Sequence, residues 1–154
     1  MAYDFATVDP GLHTAIAYWV DGERTPQSIA TVNVSNKAKT DVEKLLDLRA
    51  KVLEKMCACH TVYIEGVAVY AGSLKSMTSA VRGNLSLLAY IVGVYVSCFA
   101  KQESRIVLLS PQWKGQLTYD ALAVWVGRIN GCLYRTEHEL ATVGMGLYVG
   151  GLLR

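Results

Sequence analysis

Charge is scarce in this sequence. Asp, Glu, Lys and Arg make up 18% of its 154 residues and leave a formal net charge of +2. That is too mild for the clustered basic face that usually marks a nucleic-acid-binding domain, although an acidic pocket could offset a basic rim. A disulfide framework is also lacking. The four cysteines, Cys57, Cys59, Cys98 and Cys132, do not show the spacing of a small secreted scaffold, and a cytoplasmic setting is expected. The stretch CACH (57–60) has no second ligand pair, which a zinc site needs, so these thiols read as the buried end of a helix. The opening residues, MAYDFATVDPG, carry acids and no basic segment, so a secretory signal is not expected. The most apolar run, LSLLAYIVGVYVSCFA (85–100), falls short of the ~18–20 residues of a membrane span; it reads as a core or dimer-interface helix. Repeats, low-complexity tracts and linkers are absent. What is present is a chain that is 52% hydrophobic with mean hydropathy +0.25, enough for one domain, 1–154, with a substantial core.

Hydrophobic patterning sets out the elements. YDFATVDPG (3–11) is a short apolar run closed by an acid and a Pro-Gly turn. HTAIAYWV (13–20) is a second strand and DGER (21–24) the turn after it. SIATVNVS (28–35) alternates and is a third strand, giving an antiparallel meander. Residues 40–58 place Val42, Leu45, Leu46, Leu48, Val52, Leu53 and Met56 at helical spacing, with Thr40 and Glu43 as a capping box. TVYIEGV (61–67) is a buried strand, followed by a long helix over about 73–101. A fifth strand spans 104–111, stopped by Pro111. A helix covers 118–130, and a last helix begins near 136. The order β-β-β-α-β-α-β-α-α is that of a ribonuclease H-like α/β fold: a mixed five-stranded sheet with helices on both faces.

Two acids fall at strand ends. Asp9 closes the first strand and Glu65 the fourth, and in open α/β sheets polar groups at the carboxyl ends of strands line the ligand crevice. Asp9 before Pro10-Gly11 can equally be a turn residue. Glu65 lies between apolar runs and should be close to buried, which calls for a cationic partner or a metal; no Lys or Arg is nearby in sequence. In the last helix, Thr136 and Glu139 form a second capping box, with Glu139 in a structural role. His138 then shares a face with positions 141 and 142. It can look toward the acids or be a plain exposed residue of the first turn.

VDPGLHTAIAYW (8–19), VYIEGV (62–67), SPQWKGQL (110–117) and EHELATVGMGLY (137–148), in this order, resemble RuvC-type Holliday-junction resolvases, and the short bacteriophage-type members most. The resemblance covers nearly the whole chain. It implies a metal-dependent endonuclease that cuts four-way or other branched DNA as a homodimer, with helix 85–100 at the dimer surface. It also implies a site in which carboxylates, with or without a histidine, hold two Mg²⁺, with Mn²⁺ as a substitute. Asp9, Glu65 and His138 match catalytic and metal-binding positions. Ala141 stands where the family carries an aspartate, so the resemblance implies an inactivated variant that holds metal weakly and cuts slowly or not at all. Glu137 or Glu139 could substitute only against the direction of their side chains. A non-catalytic binder of branched DNA is the alternative. DNA-binding candidates are Lys114 on the loop after the fifth strand, Lys75 and Arg82 on the long helix, and Arg128. Tyr70 could stack on an unpaired base.

Overall fold

The computed structural model describes residues 2–67 and 79–153, with side chains from residue 84 onward in the second span. Strands β1 (Tyr3–Val8), β2 (His13–Trp19) and β3 (Ser28–Asn33) form the antiparallel meander. β4 (Cys59–Glu65) pairs in parallel with the free side of β1, and β5 (Arg105–Leu109) pairs in parallel with β4. The result is a mixed five-stranded sheet in the order β3-β2-β1-β4-β5.

Helices cover both faces. α1 (Asp41–Lys55) and α2 (Ser79–Ala100) pack together on one, and α3 (Tyr119–Asn130) and α4 (Glu137–Val149) on the other. The strands alternate accordingly, since successive side chains point to opposite faces. Ala6, Val8, Ile16 and Tyr18 meet Leu48, Val52, Tyr95 and Phe99 of α1 and α2. Phe5, Ala17 and Trp19 meet Leu122, Val126, Val143 and Leu147 of α3 and α4. Both faces being apolar, β1 and β2 read as continuous apolar runs.

Several local expectations hold in detail. Thr40 caps α1 in a complete capping box with Glu43. Thr118 caps α3 and Thr136 caps α4. The run 85–100 lies within α2 and buries Ile91, Tyr95, Cys98 and Phe99 against the sheet and α1; no helix among the described residues is long and apolar enough to cross a membrane. One expectation fails. α1 stops at Lys55, and Cys59 and His60 belong to β4 rather than to a helix end. The Cys59 thiol is buried 3.7 Å from the Ser104 hydroxyl. β-Sheet pairing with Tyr3 claimed this segment, which the cysteine spacing could not reveal.

Candidate active site

Register brings the two strand-end acids together. Val8 of β1 is paired with Ile64 of β4, so the next residues, Asp9 and Glu65, leave neighbouring parallel strands side by side, about 4.8 Å apart in the hydrogen-bonding direction. Alternation turns both toward α3 and α4, the side of Phe5 and Tyr63. The turn after Asp9 is tied down. The Thr14 hydroxyl donates to the Asp9 carbonyl, and the Tyr95 hydroxyl donates to the Gly11 carbonyl at 3.4 Å. At the end of β4 the Gly66 N–H donates to the Leu109 carbonyl at 2.8 Å.

α4 crosses this face and is anchored to it by a buried chain of hydrogen bonds. The Trp19 indole N–H donates to the Thr7 hydroxyl at 3.0 Å, and that hydroxyl donates to the Thr142 carbonyl at 2.7 Å. Gly146 lets the helix come close: a Cβ there would lie 2.1 Å from the Trp19 ring. So seated, the first turn of α4 places His138 Nδ1 3.6 Å from Asp9 Oδ2, an ion pair when the imidazole is protonated. The Asp9 side chain is 18% exposed and that of His138 51%. The Glu139 N–H donates to the Thr136 hydroxyl at 3.1 Å, but the Glu139 carboxylate accepts from the Arg135 N–H at 3.0 Å, one residue before the position a capping box uses.

Ala141 is buried. At about 3.6 residues per turn, positions 138, 141 and 144 follow one another along a helix stripe. His138 ends on Asp9. A Cβ on Gly144 would lie 3.1 Å from the ring of Trp113, whose N–H is bonded to Glu65. Ala141 therefore lies between these two positions on the stripe.

Glu65 has a partner that its sequence neighbourhood conceals. The Trp113 indole N–H donates to Glu65 Oε2 at 2.6 Å. Trp113 is placed by a 3-10 turn over Pro111–Lys114, which Ser110 caps by accepting the Gln112 N–H. The turn ends at Gly115, whose positive φ of 61° suits a residue without Cβ. A half-buried carboxylate here takes a neutral N–H donor, so the expected choice between cation and metal was too narrow. Lys114 adds a favourable charge to both acids.

Burial holds the carboxyl of Asp9 above the usual range, opposed by His138 and Lys114. Burial likewise raises Glu65; the Trp113 hydrogen bond opposes the rise and the charge of Asp9 adds to it. Tyr119 belongs to the same electrostatic neighbourhood. Its phenol is raised by burial first and then by Asp9, Glu137 and Glu65, and the Lys114 ammonium lies 4.2 Å from its ring centre.

The donor chemistry here, hard carboxylate oxygens short of compensating charge, suits a divalent cation. The arrangement does not complete a site for one. Among the described residues no three His, Cys, Asp or Glu side chains are gathered closely enough to hold a metal ion. Glu65 is drawn toward Trp113, and position 141 of α4 carries only a methyl group.

The other candidates are dispersed. The Arg128 guanidinium lies 5.4 Å from the Trp125 ring centre on α3. Arg82 is in α2, with its side chain outside the described residues, and Lys75 and Tyr70 lie outside them altogether. Trp113 and Tyr119 were missed by sequence reasoning. The signal for the first was the tryptophan beside Lys114 in SPQWKG; for Tyr119 there was none.

No protein-family model matches the chain, and no curated protein matches it in sequence. Solved structures do match. The Thermus thermophilus RuvC structure superposes with a TM-score of 0.65 at 16% identity, over 94% of this chain and 91% of that one. T. thermophilus RuvC in complex with a Holliday junction substrate superposes with a TM-score of 0.66 at 16% identity, over 94% and 90%. The chain thus has the ribonuclease H-like fold of RuvC, with Asp9 and Glu65 at the ends of its two central parallel strands.

Proposed function

We propose that this chain is a structure-selective DNA endonuclease scaffold for Holliday junctions and other branched DNA, impaired as it stands because Ala141 occupies the place of a metal-binding aspartate. The observation that carries the reading is the convergence of Asp9, Glu65 and His138 on one side of the sheet, with Ala141 on the same stripe of α4. The likeness to RuvC, including the structure solved with a Holliday junction, supports the substrate class. Hydrolysis of a phosphodiester by this class of site relies on two Mg²⁺ or Mn²⁺ ions that clamp the attacking and leaving oxygens. The chain as it stands offers an incomplete cradle for them. Its own residues supply the remainder. Asp9 and Glu65 give carboxylate oxygens, and His138 gives an imidazole that can accept or donate a proton. Lys114 gives positive charge to a backbone phosphate. Two such sites in a homodimer would match the near two-fold symmetry of a junction. α2 spends much of its apolar surface inside the protomer, so a dimer contact would use Tyr90 and Leu108, both exposed.

The test is Ala141→Asp. The variant should gain a rise in Tm with Mn²⁺ that the parent lacks, and should nick a synthetic four-way junction with Mg²⁺ or Mn²⁺. Equal affinity of the parent for a junction and a linear duplex refutes structure selectivity. A second reading is favoured by the lack of a three-ligand cluster among the described residues: a branched-DNA binder without nuclease activity. It is supported if Ala141→Asp binds junctions but neither takes up metal nor cuts.

A further inference from the structure

A groove of about 360 Å³ is lined in part by Trp113, the residue whose indole N–H bonds Glu65. Its walls include Trp113, Lys114, Trp125 from α3 and Tyr148 from the end of α4. Two of these aromatic side chains are unusually accessible for their size: Trp125 is 44% exposed and Tyr148 40%. Tyr148 lies against Trp113 with ring centres 6.1 Å apart. Lys114 contributes a cation, and the Arg128 guanidinium stands 5.4 Å from the centre of the Trp125 ring. No acidic residue is among the described residues lining the groove. Aromatic faces beside cations, with no carboxylate to repel a phosphate, are the means by which proteins stack unpaired bases and follow the backbone. The volume is in the range of small-ligand sites.

We infer that this groove receives an unpaired nucleobase of the DNA strand whose phosphate lies at Asp9 and Glu65, the base stacking on Trp125 and Tyr148. The inference rests on the branched-DNA reading above and deepens it by naming where a splayed base goes. Trp113 ties the two places together, since one edge of its indole bonds Glu65 while its ring lines the groove. A base in the groove would thus lie one indole ring away from the acidic pair, close enough for its own phosphate to reach Lys114.

The experiment uses the chain as it is, with a four-way junction, a junction carrying 2-aminopurine at the unpaired crossover positions, and a linear duplex. Trp125→Ala should weaken binding of the junction about tenfold, the effect of losing one stacked base, with duplex binding unchanged. Trp125→Phe should restore most of the affinity, because the stacking face returns. The fluorescence of 2-aminopurine should be quenched by the parent and by Trp125→Phe, and not by Trp125→Ala. Circular dichroism verifies that each variant is folded, and Tyr148→Phe provides a second stacking-competent control. If the parent binds the junction and Trp125→Ala binds and quenches equally well, the groove inference is overturned while the branched-DNA reading stands. If the parent prefers no branched DNA over duplex, the underlying reading fails and takes the inference with it. If Trp125→Ala instead changes the oligomeric state of the DNA-free protein, the groove is a protein contact and the inference is overturned.

Discussion

Gly146→Ala tests how firmly α4 must be seated for His138 to face Asp9. A Cβ at this position would lie 2.1 Å from Cε2 and Cζ2 of Trp19 and 2.6 Å from its Nε1. Carbon atoms pack best at about 3.5–4.0 Å, so helix or ring must retreat by roughly 1.5 Å. Trp19 has little room to do so. It is fully buried, stacked on Phe5 with ring centres 5.7 Å apart and planes 3° from parallel, and held through its N–H by Thr7. The helix must move instead. Overpacking of this kind costs about 1–3 kcal/mol, and stretching the Thr7–Thr142 hydrogen bond adds about 1 kcal/mol. The better helix propensity of alanine returns about 1 kcal/mol. The net expectation is a loss of about 1–3 kcal/mol, and at about 2–4 °C per kcal/mol for a chain of this size Tm should fall by roughly 2–12 °C in a thermal melt followed by circular dichroism. Gly144→Ala is the internal comparison. Its Cβ would lie 3.1 Å from Leu122 Cδ1 and Trp113 Cη2, ends of side chains that can adjust, so its cost should be much smaller. A Gly146→Ala protein as stable as the parent, or a Gly144→Ala protein that is the less stable of the two, refutes the seating of α4 described above.

Trp113→Phe keeps the aromatic packing and deletes the N–H that Glu65 accepts. A hydrogen bond to a charged group contributes about 1.5–3 kcal/mol when buried, and half-exposure of Glu65 should bring the measured loss toward about 1 kcal/mol. Because that bond lowers the pKa of Glu65, its side-chain carboxyl resonance should titrate at higher pH in the variant; an unmoved titration means that Trp113 does not orient Glu65. Glu65→Gln tests the cost of burying this acid. Burial raises the folded-state pKa of Glu65 above its ordinary value of about 4.5, so its contribution favours the fold below about pH 4.5 and is lost as pH rises through the raised value. Glu65→Gln should therefore gain Tm relative to the parent at neutral pH, with the gain fading as pH falls through the raised value and absent below about pH 4.5. A difference in Tm that does not change with pH contradicts this assignment.

Much of the fold could be read from the chain because its signals are local. Thr40 and Glu43 mark a helix start regardless of what the helix packs on. Strands β1, β2 and β3 announce themselves by short apolar runs bounded by turn residues, and the turn at 21–24 forces an antiparallel return. Asp9 and Glu65 were visible as acids at the ends of apolar strands. CACH misled because burial within β4, and not periodicity, decides the environment of Cys59. The capping box read at Thr136 and Glu139 is only half formed: the Glu139 carboxylate accepts from the Arg135 N–H instead of the Thr136 N–H, since a long side chain chooses among neighbouring N–H groups by geometry.

By itself the sequence determined which segments are strands and helices, and it placed one carboxylate at the end of each of two strands. Propensity, capping and turn chemistry act over a few residues, so most of these needed no tertiary information; Cys59 and His60, claimed by pairing with β1, did. Only the tertiary structure decided what surrounds those carboxylates. The register of β1 against β4 set Asp9 beside Glu65 from 56 positions away in the chain. The close approach of α4 at Gly146 seats the helix whose first turn brings His138 to Asp9. A 3-10 turn 48 residues downstream supplied the indole N–H on Glu65. Contacts at such separations depend on how layers pack and strands align, and a side chain's neighbours in space leave no trace in its neighbours along the chain.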